Sequence, residues 1–167
     1  MLALLRHATT RDHEAVDALF GPLDLAKPGT YAGFLQSHAR ALQPVESYLR
    51  SAAGLPRWRA RWALLEADLA ELDAAAPEPL PFAPPDLPGA AWGVLYVVDG
   101  SRLGNVVLSR SVPDDWPARF LRARHKAGEW RALTDALDAQ GEVMPLSWRE
   151  GAVAGARACF DLYRRAA

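Results

Sequence analysis

Apolar positions along the chain recur at helical rather than alternating spacing. In residues 2–20, Leu5, Ala8, Val16, Leu19 and Phe20 are separated by charged residues, which predicts one helix ended by Gly21-Pro22. Lys27-Pro28-Gly29-Thr30 reads as a turn, with Thr30 placed to cap a second helix over 31–53. Pro44 falls inside that helix and should kink or break it. After Gly54-Leu55-Pro56, a third helix over 56–76 carries Trp58, Trp62, Leu65, Leu69 and Leu72 along one side. The next helices are predicted over 89–110, 117–125 and 127–139. Gly141 to Pro145 reads as a loop, and Ser147-Trp148-Arg149-Glu150 as a capping box opening a last helix over 148–165.

No strand pattern of convincing length interrupts this series; Gly93–Val98 is β-branched enough for a strand, but its flanks are helical. The expected fold is a single all-α domain over 1–167, a bundle of six to eight helices. Residues 77–88 hold six prolines and must be an extended crossover rather than a helix.

Composition narrows the function. A formal net charge of -1 gives no basic field for nucleic acid. The longest apolar run, near Ala90–Val98, is far below the 18 or more residues of a membrane span. A single cysteine, Cys159, excludes an internal disulfide and fits a reducing compartment. Together these features predict a soluble, cytoplasmic protein.

Two helices carry candidate chemistry. On the fourth, Gly93, Val97, Gly100 and Gly104 share one stripe, and each interior glycine costs roughly 0.5–1 kcal/mol relative to alanine. Such a stripe either seats a tightly packed helix or lets a flat ligand approach the backbone. Ser101 and Asn105 lie at its edge, spaced to hold a water, and Arg102 points away. On the first helix, His13 shares a face with Arg6, Thr9, Val16 and Phe20. A histidine there is either structural or a metal ligand, and Arg6 could pair with a carboxylate on the same ligand. His7 and His125 read as surface residues.

These two helices together resemble the heme oxygenase family. Leu5-Arg6-His7-Ala8-Thr9-Thr10-Arg11-Asp12-His13 is similar to the family's first helix, and Tyr31-Ala32-Gly33-Phe34-Leu35 with Pro44-Val45-Glu46 to its second. Leu95-Tyr96-Val97-Val98-Asp99-Gly100-Ser101-Arg102-Leu103-Gly104 is similar to the distal helix of bacterial members. Ala158-Cys159-Phe160 and Tyr163 resemble the aromatic wall on the last helix. The resemblance implies His13 as iron ligand, Arg6 and Arg131 on heme propionates, and Thr9, Val16, Phe20, Val97, Phe160 and Tyr163 lining the cofactor.

It also implies Gly100 and Gly104 close to the iron, with Asp99, Ser101 and Asn105 as candidates for holding the water that supplies a proton; helical phasing puts Ser101 ahead of Asp99. Heme would be both substrate and cofactor, opened by O2 to biliverdin, CO and ferrous iron. No Gly-rich dinucleotide turn follows a strand here, so electrons would come from an external reductase or ferredoxin. A bilin-binding photoreceptor is a candidate downstream partner.

Three positions depart from the family pattern. Asn105 stands where Gly or Ala is usual, Asp99 where Glu is usual, and Asp135 where a second basic residue often accompanies Arg131. Propionate anchoring then falls to Arg6, Arg131 and a third residue, for which Lys126 is a candidate. Two alternatives stand beside this reading: a non-catalytic heme carrier or sensor on the same fold, and a helical interaction module without heme.

Overall fold

The computed structural model describes residues 1–167 and contains eight α-helices and one 3-10 turn, with no strand. The helices are α1 (Leu2–Ala8), α2 (Thr10–Phe20), α3 (Pro28–Ser51), α4 (Trp62–Glu71), α5 (Ala90–Leu108), α6 (Arg119–Arg122), α7 (Glu129–Val143) and α8 (Leu146–Ala166). The 3-10 turn, Ser109–Ser111, follows α5 directly. The all-α expectation holds, and Gly93–Val98 is helical.

Several boundaries differ from the sequence reading, each for a local reason. The first helix is split at Thr9, whose backbone leaves helical geometry at φ -113° and ψ 10°. The Thr9 hydroxyl donates to Leu5 O at 2.8 Å and the Thr10 hydroxyl to Arg6 O at 2.7 Å. Two consecutive hydroxyls back-bonding to i−4 carbonyls favour a bend. Thr30 does not cap the second helix; Pro28 opens it, using its fixed φ and missing N–H where neither costs anything.

Pro44 does not end α3. A proline leaves the i−4 carbonyl, here Arg40 O, without its helical partner. The Leu80 N–H from the proline-rich crossover donates to that oxygen at 2.9 Å. Residues 56–61 are not helical, so Trp58 precedes α4 rather than lining it. The start of α4 is fixed from outside: the buried Glu46 carboxylate accepts the Arg61 and Trp62 N–H groups at 2.5 and 3.2 Å. Near the C-terminus, α7 runs through Gly141, which packs on Met1, and α8 begins at Leu146 without the Ser147 capping box. The crossover 77–88 is extended, as its prolines require.

One contiguous core draws Leu5, Phe20, Leu35, Leu65, Val94, Phe120, Leu137 and Leu162 from all eight helices. α8 is the floor of the molecule, touching α1, α2, α3 and α5. Its crossing with α5 is close enough to exclude side chains. A Cβ on Gly93 would lie 1.8 Å from Ala152 O, and one on Gly155 2.1 Å from Ala90 O. Gly93 therefore serves helix packing. No helix is long and apolar enough to cross a membrane.

Candidate active site

The α1–α2 break separates two residues expected on one helical face. His13, on α2, has an exposed side chain, with Nδ1 3.0 Å from Asp17 Oδ2 one turn on. Its ring meets Phe160 of α8 edge to face, with centroids 5.8 Å apart. An imidazole ligates a metal through one neutral ring nitrogen, and Asp17 stands beside Nδ1 rather than Nε2. Arg6, on α1, lies instead beside Tyr96 of α5, and its charge opposes the burial that raises the Tyr96 hydroxyl pKa. The Arg6–Tyr96 approach brings α1 up to α5, and α1, α2 and α5 all rest on α8.

The glycines of α5 divide by role. Gly93 is consumed by α8, and Val97 is buried. Nothing lies within 4 Å of a Cβ built on Gly104, so that turn of backbone is bare. At Gly100 a Cβ would meet only the Trp130 indole, at 3.2 Å. Trp130 comes from the first turn of α7 and packs on Tyr96 and His125, with centroids 6.0 and 5.6 Å away. The cover over Gly100 is thus a side chain rather than backbone.

Polar residues around the glycines are already committed. Asp99 is 8 % exposed, accepts from Arg102 Nε at 2.9 Å through Oδ1, and bonds His125 Nε2 at 2.9 Å through Oδ2. His125 is therefore not a surface residue: Arg102 and Arg59 hold its segment by donating to Ala123 O and Arg124 O, at 3.1 and 2.8 Å. Arg102 does point away from the glycine stripe, and it also donates to Arg59 O.

Ser101 and Asn105 face Arg61, a residue the sequence reading did not single out. The Ser101 hydroxyl donates to Val98 O at 2.7 Å and accepts from Arg61 Nη2 at 2.6 Å. Asn105, with its amide oriented by its neighbours, donates to Ser101 O at 3.3 Å and accepts from Arg61 Nη1 at 3.0 Å. No local spacing announces Arg61, because its partners lie 37 and 40 residues away.

The remaining predicted residues are dispersed. Thr9 is buried at the helix break, Val16 packs against the core, and Phe20 is buried against Phe34 and His38. Tyr163 lies deep in α8, where burial pushes its hydroxyl pKa up, as it does the neighbouring Cys159 thiol. Arg131 is highly exposed and 3.6 Å from Asp135, a contact that solvent screens strongly. Lys126 is exposed. Two open surface grooves, of about 450 and 540 Å³, lie elsewhere, one around Trp116 and Arg119 and one around Gly33 and Arg40. Gly100 and the His125–Asp99 pair gather instead around Trp130.

No family model matches the sequence. The chain is 31% identical over 146 residues to a heme oxygenase from Xanthomonas campestris pv. campestris (strain 8004), spanning 78% of this chain and 84% of that protein. Its fold is similar to the NO- and CO-bound heme oxygenase from Neisseria meningitidis, with a TM-score of 0.78 and 25% identity over 97% of this chain and 87% of the other.

Proposed function

This chain belongs to the heme oxygenase family, and on that premise we propose that it cleaves heme to biliverdin, CO and ferrous iron with O2 and electrons from an external donor. The observation that carries the reading is His13, an exposed imidazole whose ring packs edge to face on Phe160 of α8 and has Asp17 beside Nδ1. Residues of α1 and α5 are suited to a flat, anionic, iron-bearing ligand. Gly104 offers bare backbone, Gly100 is covered only by a movable indole, and Arg6 supplies a cation on the same side of α5 as Tyr96.

Bound heme would supply both the iron that takes up O2 and the macrocycle that is opened. His13 would ligate the iron, with Phe160 limiting rotation of its ring. Arg6 and Arg131 would pair with the propionates, and Val97 and Val16 would keep the slot apolar. Gly100 and Gly104 would let α5 backbone stand against the iron-bound side, with no side chain pushing the ligand away from the ring edge. Trp130 would have to yield over Gly100.

Proton supply falls to Asp99 with His125 ahead of Ser101, contrary to helical phasing. The Ser101 proton is committed to Val98 O, whereas the Asp99–His125 pair joins α5 to the outer segment 123–128 beside Trp130. The electron donor would be a reductase or ferredoxin, and the product could pass to a bilin-binding photoreceptor.

Hemin titration of the purified protein tests this. A Soret band typical of a His-ligated heme should form and should be lost or shifted in His13→Ala. Reductant with O2 should then replace it by biliverdin absorption. Binding without biliverdin from any electron donor would make the protein a carrier, and a flat titration would remove heme altogether.

A further inference from the structure

The indole of Trp130 lies against bare backbone. A Cβ on Gly100 would meet only its six-membered ring, 3.2 Å from Cη2 and 3.5 Å from Cζ3. One turn on, nothing lies within 4 Å of a Cβ on Gly104. A flat aromatic side chain thus rests on one of the two glycines offered to a flat ligand, and the other glycine is open. Trp92 and Trp148 are buried in the core, whereas Trp130 is half-buried at its edge. An indole so placed covers a surface more than it fills an interior.

Its support is local and releasable. Two rings flank it: Tyr96 of α5, with centroids 6.0 Å apart and 33° between planes, and His125, at 5.6 Å and 40°. His125 is held in turn by Asp99, Nε2 to Oδ2 at 2.9 Å. It belongs to residues 123–128, which form no helix and are fastened to the body by Arg102 and Arg59 donating to Ala123 O and Arg124 O. Between His125 and Trp130 stands Gly128, exposed, at φ +81° and with nothing within 4 Å of a Cβ. A left-handed, uncrowded glycine at the end of an element is suited to absorb a change of backbone direction.

We propose that Trp130 is the gate of the heme site. Closed, its indole occupies the ground over Gly100 that the macrocycle takes; heme enters when the indole swings out, with Gly128 as the pivot and the Asp99–His125 pair as the catch. The inference rests on the heme reading above and goes past it, because it assigns the rate of heme uptake to a side chain of the protein rather than to diffusion. Indole and macrocycle compete for one surface, so only the open state binds. Apparent affinity and association rate then both scale with the fraction of time the gate stands open. Opening forfeits the two ring contacts, so the closed form is the resting state of the ligand-free protein.

Stopped-flow mixing with hemin, followed at the Soret band, tests this in wild type, Trp130→Ala, Trp130→Phe and His125→Ala. In wild type the observed rate should level off as hemin is raised, at the rate of opening. In Trp130→Ala it should stay linear in hemin and, for a gate open about a tenth of the time, be about ten-fold faster at low hemin. Trp130→Phe, whose ring reaches less far over Gly100, should fall between the two. His125→Ala keeps the indole and removes the catch, so the plateau should persist at a higher rate. A purely structural role for Trp130 would lower thermal stability without changing the form of this concentration dependence. If Trp130→Ala does not fold, Trp130→Phe and His125→Ala carry the test with plateaus above that of wild type. A wild-type rate that is linear and equal to that of every folded variant overturns the gate and leaves heme binding standing, as does one plateau common to them all. A wild type that binds no hemin overturns the heme reading itself, and this inference with it.

Discussion

His38 is enclosed by Phe20, Phe34, Phe120 and Tyr163, with ring centroids 4.1 to 5.7 Å away, and is 8 % exposed. Its Nδ1 lies 3.0 Å from Phe34 O, which can only accept, so the ring proton resides there. Desolvation lowers its pKa from 6.5 to about 4, with the Phe34 bond opposing and Arg61 adding to the decrease. The folded state therefore excludes a proton that the unfolded chain takes up below about pH 6.5. Stability should be full above that pH, fall as pH drops, and stop falling on this account below about pH 4. At pH 5 the loss should be about 2 kcal/mol. Urea unfolding at pH 7 and pH 5 measures it, and His38→Phe should remove most of the difference. An equal pH dependence in that variant would assign the effect to other groups. In the sequence His38 had no partner to flag it, because its cage comes from four helices.

At the scale of elements, the glycine stripe of α5 shows what periodicity can and cannot convey. Spacing correctly put Gly93, Val97, Gly100 and Gly104 on one line, but it could not say what stands opposite each. Backbone of α8 faces Gly93, an indole faces Gly100, and nothing faces Gly104. Helix packing therefore accounts for Gly93, and the ligand approach proposed above concerns only the turns at Gly100 and Gly104. Gly93→Ala should cost about 2–4 kcal/mol, because its methyl meets a carbonyl that cannot move without separating two long helices. Gly104→Ala should leave stability unchanged or raise it by about 0.5–1 kcal/mol through helix propensity, while weakening hemin binding or turnover. Thermal unfolding of both variants with a hemin titration of the second separates the roles. A Gly104→Ala protein that binds and turns over hemin like wild type would remove that turn from the site. The helix ends were legible only where the cause was local, as in the proline-rich crossover. They were missed where the cause was distant, as where Glu46 fixes the start of α4 and where Asp68 accepts the Arg119 and Phe120 N–H groups at 3.0 and 2.8 Å to start α6.

Across the whole molecule, the crossover 77–88 decides whether the chain behaves as one unit. Composition marked it as an extended crossover rather than a helix. It is nonetheless pinned along its length: Leu80 N–H satisfies the carbonyl that Pro44 orphans, Phe82 packs edge to face on Tyr48, and Pro88 O lies where a Cβ on Gly151 would reach it at 2.0 Å. α8 then reaches back to α1, α2 and α3, closing the C-terminal end of the chain onto the N-terminal helices. With contacts so interlaced, neither half retains a covered core without the other. Urea unfolding followed by far-UV circular dichroism and by the fluorescence of the six tryptophans should give a single coincident transition. Limited proteolysis should cut within 77–88 only as fast as the protein globally unfolds, because the anchoring bonds hold the segment against the folded body. Two separated transitions, or a cut there that leaves both fragments folded, would instead divide the chain at its prolines.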